Sequence, residues 1–235
     1  MPSEPASKSG KYWKEHILSW EASAYYKDTP HPPTLWDRLS TLFRGDAMYV
    51  RMNAALHLLE PHLAGKTVLD VGCASGRFAF ALLNAGAARV HGVDISPQAI
   101  QLAQERSRQI GLEGRLGFTV ADVVHPSSPL PPADLVTALG VIEYFDPSAL
   151  STFLANLQCR YFFLDFPHIS RRKEFPTWAL RQVYIRVNRL PGIYLYHPAE
   201  FIRLAEPLGF QNIRLWMRDH FYFITNLPNI SPQQE

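Results

Sequence analysis

Short β-branched runs alternate with amphipathic stretches through the middle of the chain. Thr67-Val68-Leu69-Asp70-Val71 is a run of the kind buried in a parallel sheet. Residues 77–85 follow with apolar positions at helical spacing, and Gly86 stops that helix. The pattern then repeats. Arg89-Val90-His91-Gly92-Val93-Asp94 predicts a second strand, Ser96-Pro97 an N-cap followed by proline at the first helical position, and Gly111 the helix end. Residues 116–121 predict a third strand, 133–139 a fourth, 147–157 a helix and 161–164 a fifth strand. Pro198 opens a further helix that Gly209 closes. Residues 212–217 and 221–225 predict two strands joined by the polar turn Arg218-Asp219-His220. Upstream, Asp46 is a candidate cap for a helix whose Val50, Ala54, Leu58 and Leu59 form one apolar stripe.

Strands alternating with helices imply a parallel sheet with right-handed crossovers, and the terminal hairpin must add an antiparallel strand. The expected fold is therefore α/β: a doubly wound, Rossmann-like, mostly parallel seven-stranded sheet with an antiparallel C-terminal hairpin strand and helices on both faces. Prolines mark the breaks. Pro30-His31-Pro32-Pro33 divides an aromatic-bearing N-terminal segment from the rest, and residues 126–132 form a proline-rich loop in the middle of the core.

Composition narrows the class. With 47% hydrophobic and 19% charged residues, neither a disordered chain nor a coiled coil fits. No apolar run approaches the roughly 18 residues a membrane-spanning helix needs, and no apolar stretch of a secretory signal follows Met1. The net charge of +2 is too balanced for a dedicated nucleic-acid binder. Cys73 and Cys159 are the only cysteines, too few for a disulfide framework or a four-ligand zinc site, and the nine histidines show no metal-binding spacing. A cytoplasmic protein without metal is expected.

The chemistry concentrates where the first strand turns into a helix, at Asp70-Val71-Gly72-Cys73-Ala74-Ser75-Gly76-Arg77. Small residues at 72, 74 and 76 let the backbone turn sharply and let a ligand approach the main chain. The spacing fails the dinucleotide G-x-G-x-x-G fingerprint and the Walker loop. A carboxylate at Asp70 disfavours a pyrophosphate and favours an ammonium or sulfonium. Asp94 ends the second strand 18 positions beyond Gly76, where an acid typically accepts hydrogen bonds from ribose hydroxyls. The bland alternatives are a tight βα connection at the loop and a solvated loop acid at Asp122. Cys73 reads as a small buried filler.

Over roughly residues 46–165 these features resemble the class I S-adenosylmethionine-dependent methyltransferases, whose first motif is D-x-G-x-G-x-G, with Ala74 here in place of the middle glycine. The resemblance implies S-adenosyl-L-methionine as cofactor, with Asp70, Gly72, Ala74 and Gly76 forming the first motif. It further implies Asp94 on the ribose, Ile95 against the adenine, Asp122 on the adenine amino group, and the Val123 N–H on a ring nitrogen. Leu139-Gly140-Val141-Ile142-Glu143-Tyr144 would close the methionine end. Many relatives place a histidine there, whereas this chain offers Glu143 and Tyr144. The implied organisation is an N-terminal lid or substrate-side segment over 1–45, and a methyltransferase domain over 46–235 with a helical cap insert at about 167–197.

Methyl transfer from a sulfonium is an in-line displacement, so placing the acceptor atom supplies most of the catalysis. A carboxylate acceptor needs no base, whereas a hydroxyl benefits from one. Glu143, Tyr144 and His168 are the candidates, with Tyr25 and Tyr26 on the lid; each has a structural role as its alternative. Residues 171–189 hold six basic residues and one acid, a net of +5 in a chain whose total is +2. They fit a solvated cap helix, a substrate cap whose Arg181 and Arg186 meet an anion, or peripheral adhesion to an anionic membrane surface. Asn188-Arg189-Leu190-Pro191 and Phe221-Tyr222-Phe223 resemble parts of magnesium-protoporphyrin O-methyltransferases. The expected function is O-methylation of an anionic or partly apolar small molecule. N-methylation, or cofactor binding without catalysis, is the alternative; the N/D-P-P-Y/F tetrapeptide of amino-methylating relatives does not follow the fourth strand.

Overall fold

Three helices begin with proline at their first position, each preceded by a side chain that takes a free amide. In α4 (Pro97–Gln109) the Ser96 hydroxyl accepts from Ala99 N, and in α5 (Pro147–Asn156) the Asp146 carboxylate accepts from Ala149 N. In α6 (Pro198–Ala205) the His197 ring accepts from Ala199 N, within a capping box closed by Glu200. The computed structural model describes residues 8–25, 47–167, 186, 193–194, 196–218 and 221–230. The remaining helices among the described residues are α1 (Lys8–Ala24), α2 (Ala47–Leu59) and α3 (Arg77–Asn84). Asp46 and residues 168–185 lie outside the described residues. In α2 the buried stripe is Ala54, Ala55, Leu58 and Leu59; Val50 faces solvent, correcting the expected face by one position.

The seven strands are β1 (Thr67–Val71), β2 (Arg89–Asp94), β3 (Leu116–Val120), β4 (Ala133–Ala138), β5 (Cys159–Pro167), β6 (Arg214–Arg218) and β7 (Phe221–Thr225), in the spatial order β3-β2-β1-β4-β5-β7-β6. The first five pair in parallel, and β7 runs antiparallel to both β5 and β6. The inverted strand therefore lies one place in from the edge. β6 begins two residues later than the pattern suggests, because Asn212 turns through φ +58°.

Side chains alternate between two cores. Val68, Val90, Leu116, Leu135 and Phe163 pack with α2, α3 and α4, while Leu69, Val71, Val136, Phe162, Leu164 and Phe166 pack with α5 and α6. On the first face the same alternation places polar residues at the carboxyl ends: Asp70 after Val68, Asp94 after Val90, Thr137 after Leu135 and Asp165 after Phe163. β1 and β4 are adjacent although β2 and β3 come between them in sequence, so the winding reverses between them. Open α/β sheets bind ligands outside the carboxyl ends of the strands at such a reversal.

Candidate functional site

The loop after β1 is held in a shape few sequences allow. Gly72, Ala74 and Gly76 all have positive φ, at +68°, +48° and +86°. A Cβ on Gly72 would lie 2.4 Å from Val141 Cγ2, and one on Gly76 2.8 Å from Phe118 Cζ. Gly72 N and Cys73 N both donate to Val93 O, at 2.8 and 3.1 Å. Asp94 clamps the loop from β2: Oδ2 accepts Ala74 N and Oδ1 accepts Ser96 N, each at 2.9 Å. Burial raises its carboxyl above the usual range, against the pull of those two amides.

Asp70 lies in register between Gly92 of β2 and Thr137 of β4. Its Oδ1 accepts the Thr137 hydroxyl at 2.9 Å, and its buried Oδ2 has no hydrogen-bond partner among the described residues. Burial pushes this carboxyl up to about 7; the Thr137 hydroxyl opposes the rise and the Asp94 charge adds to it. A carboxylate so placed is short of a cation.

Helix α1 crosses the loop. Glu21 Oε1 accepts the Ser75 hydroxyl at 2.7 Å and pairs with Arg77 Nε at 3.2 Å, while Oε2 accepts Ser75 N at 3.3 Å. Arg106 of α4 donates to the same Ser75 hydroxyl at 2.8 Å, and Ser96 Oγ donates to Lys14 O at 3.1 Å. Trp13 of α1 meets Tyr144 edge-on at 4.9 Å, and the Arg77 guanidinium lies 4.7 Å from the Tyr25 ring. Burial pushes the Tyr25 phenol up to about 12, so it is not a base at neutral pH.

Past β4, Gly140 N donates to Asp165 Oδ1 at 2.7 Å and the chain enters a 3-10 turn, Ile142–Tyr144. Arg51 of α2 reaches into this region. Its Nε pairs with Asp165 Oδ2 at 2.8 Å, its Nη2 lies 3.7 Å from Glu143 Oε1, and its guanidinium stacks 4.1 Å over Phe221. All three charged side chains are buried. Tyr194 N donates to Glu143 O at 2.7 Å.

Asp70, Gly72, Ala74, Gly76 and Asp94 thus converge at one edge, with Glu143 and Tyr144 on the β4 side. Ile95 is half-buried directly after Asp94, and Leu139 is half-buried against the first core. Asp122 lies two residues past β3, where Oδ1 accepts Val124 N and His125 N at 3.0 and 3.2 Å; Val123 is buried in the second core. Arg186 is exposed, while Tyr26, His168 and Arg181 lie outside the described residues. Cys73 is buried filler, and burial raises its thiol well above the ordinary range. No cluster of metal-ligating side chains occurs among the described residues. Sequence reasoning missed Glu21, Arg51 and Ser75. The one available signal for this network was Asp165, an acid inside the apolar run Tyr161-Phe162-Phe163-Leu164-Asp165-Phe166.

Residues 68–159 match the family model of a methyltransferase domain. Over that stretch, from β1 to the first residue of β5, the chain carries a methyltransferase domain. The fold is similar to that of magnesium protoporphyrin IX methyltransferase from Synechocystis PCC 6803 with SAH bound (TM-score 0.63, 18% identity, 92% of this chain and 96% of that one). It is also similar to human N-acetylserotonin methyltransferase in complex with SAM (TM-score 0.60, 17% identity, 94% of this chain and 59% of that one). A stretch of 54 residues is 57% identical to the ribosomal protein L11 methyltransferase of Alteromonas mediterranea, covering 23% of this chain and 18% of that protein. The chain thus spans about a fifth of the length of the curated relatives it matches.

The residues present fit the methyltransferase cofactor. Gly72 and Gly76 let the loop turn through positive φ where a Cβ would strike Val141 and Phe118, and Asp70 keeps a buried carboxylate oxygen without a hydrogen-bond partner among the described residues. Each Asp94 oxygen already accepts one amide and retains a lone pair for a hydroxyl.

Proposed function

We propose that this methyltransferase acts on a small, anionic or partly apolar acceptor in the cytoplasm, and transfers the methyl group to oxygen. The observation that carries the reading is the convergence of Asp70, the 72–76 loop and Asp94 on one edge, with the aromatic side chains of Trp13 and Tyr144 packed beside them. When bound, S-adenosylmethionine supplies a methyl group on a positively charged sulfur. Asp70 would receive the amino group, Asp94 the ribose hydroxyls, Ile95 and Val123 the adenine, and Asp122 its amino group. Most of the rate would come from holding acceptor and donor in line and excluding water.

Three features support the acceptor class. β5 ends at Pro167 on the same edge as β1 and β2, and the chain leaves it directly into the basic stretch 171–189, net +5. Arginines such as Arg181 and Arg186 suit a carboxylate through paired hydrogen bonds. The aromatic mouth suits an apolar body, and the fold likeness to a protoporphyrin methyltransferase agrees with both. For a hydroxyl acceptor, Glu143 in the turn after β4 is our choice of base, with Tyr144 beside it and His168 as the alternative. The match to a ribosomal protein L11 methyltransferase favours a second reading, transfer to a protein.

The deciding experiment supplies methyl-labelled S-adenosylmethionine with a panel of carboxylates and phenols alongside a protein extract. Label is expected in the small-molecule fraction, released by mild alkali if the product is an ester. Alkali-stable label in protein would establish the second reading, and binding without transfer would make the chain a cofactor-binding module. Asp94→Ala should weaken S-adenosylhomocysteine binding by about tenfold or more, equivalent to at least 1.4 kcal/mol. An unchanged calorimetric affinity would count against the assignment.

A further inference from the structure

Glu21 lies outside the matched residues 68–159, yet among the described residues beyond that stretch no side chain is shown closer to the 72–76 loop. It is buried, and its carboxylate spans the Ser75 amide, the Ser75 hydroxyl and Arg77 at the start of α3. Its charge reaches the neighbouring acids: burial raises Asp94 and Cys73, and Glu21 adds to the rise of each. Three buried carboxylates, Asp70, Asp94 and Glu21, therefore surround one loop. The cations beside them are Arg77 on Glu21 and Arg106 on Ser75. Asp70 meanwhile keeps an oxygen without a hydrogen-bond partner among the described residues, as does the buried Trp13 Nε1 on the same helix as Glu21.

We propose that Glu21 is a specificity residue of the cofactor site, anchoring the 72–76 loop to α1 and biasing it toward the cationic methyl donor over its uncharged thioether product. The inference rests on the methyltransferase reading above. Donor and product share every group except the methyl on sulfur and the positive charge it brings. Docking by Glu21 acts on both ligands alike. Its charge acts on one. One negative charge fixed beside the loop, in surroundings more polar than a dry interior, is expected to change the ratio of the two affinities by about threefold.

The test is calorimetric titration of the full chain with S-adenosylmethionine and with S-adenosylhomocysteine, for wild type, Glu21→Gln, Glu21→Asp and Arg77→Gln. Glu21→Gln keeps hydrogen-bonding atoms but loses the charge, so the preference for the donor should fall about threefold whatever happens to absolute affinity. Glu21→Asp should restore it. Arg77→Gln unmasks the Glu21 charge and should shift the preference the opposite way, which keeps the test open if Glu21→Gln fails to fold. Equal loss of both affinities in Glu21→Gln, with the ratio unchanged, would overturn the proposal and leave Glu21 a docking residue. A wild-type chain that takes up neither ligand would overturn the methyltransferase reading itself.

Discussion

Asp70 and Asp94 end neighbouring strands and differ in what satisfies them. Asp94 holds two backbone amides, whereas Asp70 has one hydroxyl and an idle oxygen. Burial holds the Asp70 carboxyl up to about 7. The folded protein therefore favours neutral Asp70, and the stability this contributes is present below about pH 4 and lost as pH rises toward 7. A ligand ammonium favours the ionised form. Affinity for S-adenosylhomocysteine should then rise about tenfold between pH 5.5 and 7.5 and level off above, while Asp70→Asn should give a flat, weaker profile. Titrations across that range check it; a wild-type profile as flat as the variant's would detach Asp70 from the amino group. The acids at 70 and 94 and the small residues of the loop were legible because chemistry and spacing sit within one short stretch. Glu21 was not, because a lone glutamate on an amphipathic helix reads as surface until the helix is docked.

At the scale of elements, α2 and the strand ends are joined through one arginine. A Cβ on Gly140, at φ +71°, would lie 2.3 Å from Arg51 Nη1, and Arg51 cannot withdraw because Asp165 holds it. Arg51→Met leaves Asp165 and Glu143 buried without it, and should cost about 3–5 kcal/mol. Gly140→Ala alone should cost about 2 kcal/mol from backbone strain and overlap. In the Arg51→Met background the alanine meets a more yielding neighbour, so denaturant unfolding of the four proteins should show about 1 kcal/mol of favourable coupling. Strict additivity would mean the contact is slack. Strand and helix identities followed from the sequence pattern, since proline caps and β-branched runs act locally. The extent of β5, nine residues where four were expected, did not: Asp165 and Pro167 join a strand only because Phe223 and Phe221 of β7 pair with them.

At the scale of the molecule, α1 contributes to the described structure chiefly by lying over the carboxyl ends of β1 and β2, through Glu21, Trp13 and the Lys14 carbonyl. Deleting residues 1–33 should leave a cooperatively folding domain, because both cores are built without α1. Affinity for S-adenosylhomocysteine should fall about tenfold or more. Thermal melts and calorimetry together check this, and undiminished affinity would remove the lid reading of residues 1–45. By itself the sequence determined the alternation of strands and helices, the glycine-lined turn and the acids that follow successive strands, because periodicity, capping and backbone freedom act within a few residues. Only the tertiary structure decided that β7 inserts between β5 and β6, that Arg51 bridges two acids from another helix, and that Glu21 reaches a loop 54 residues away. Those are pairings between distant segments, and their energies come from burial that exists only once the chain has closed on itself.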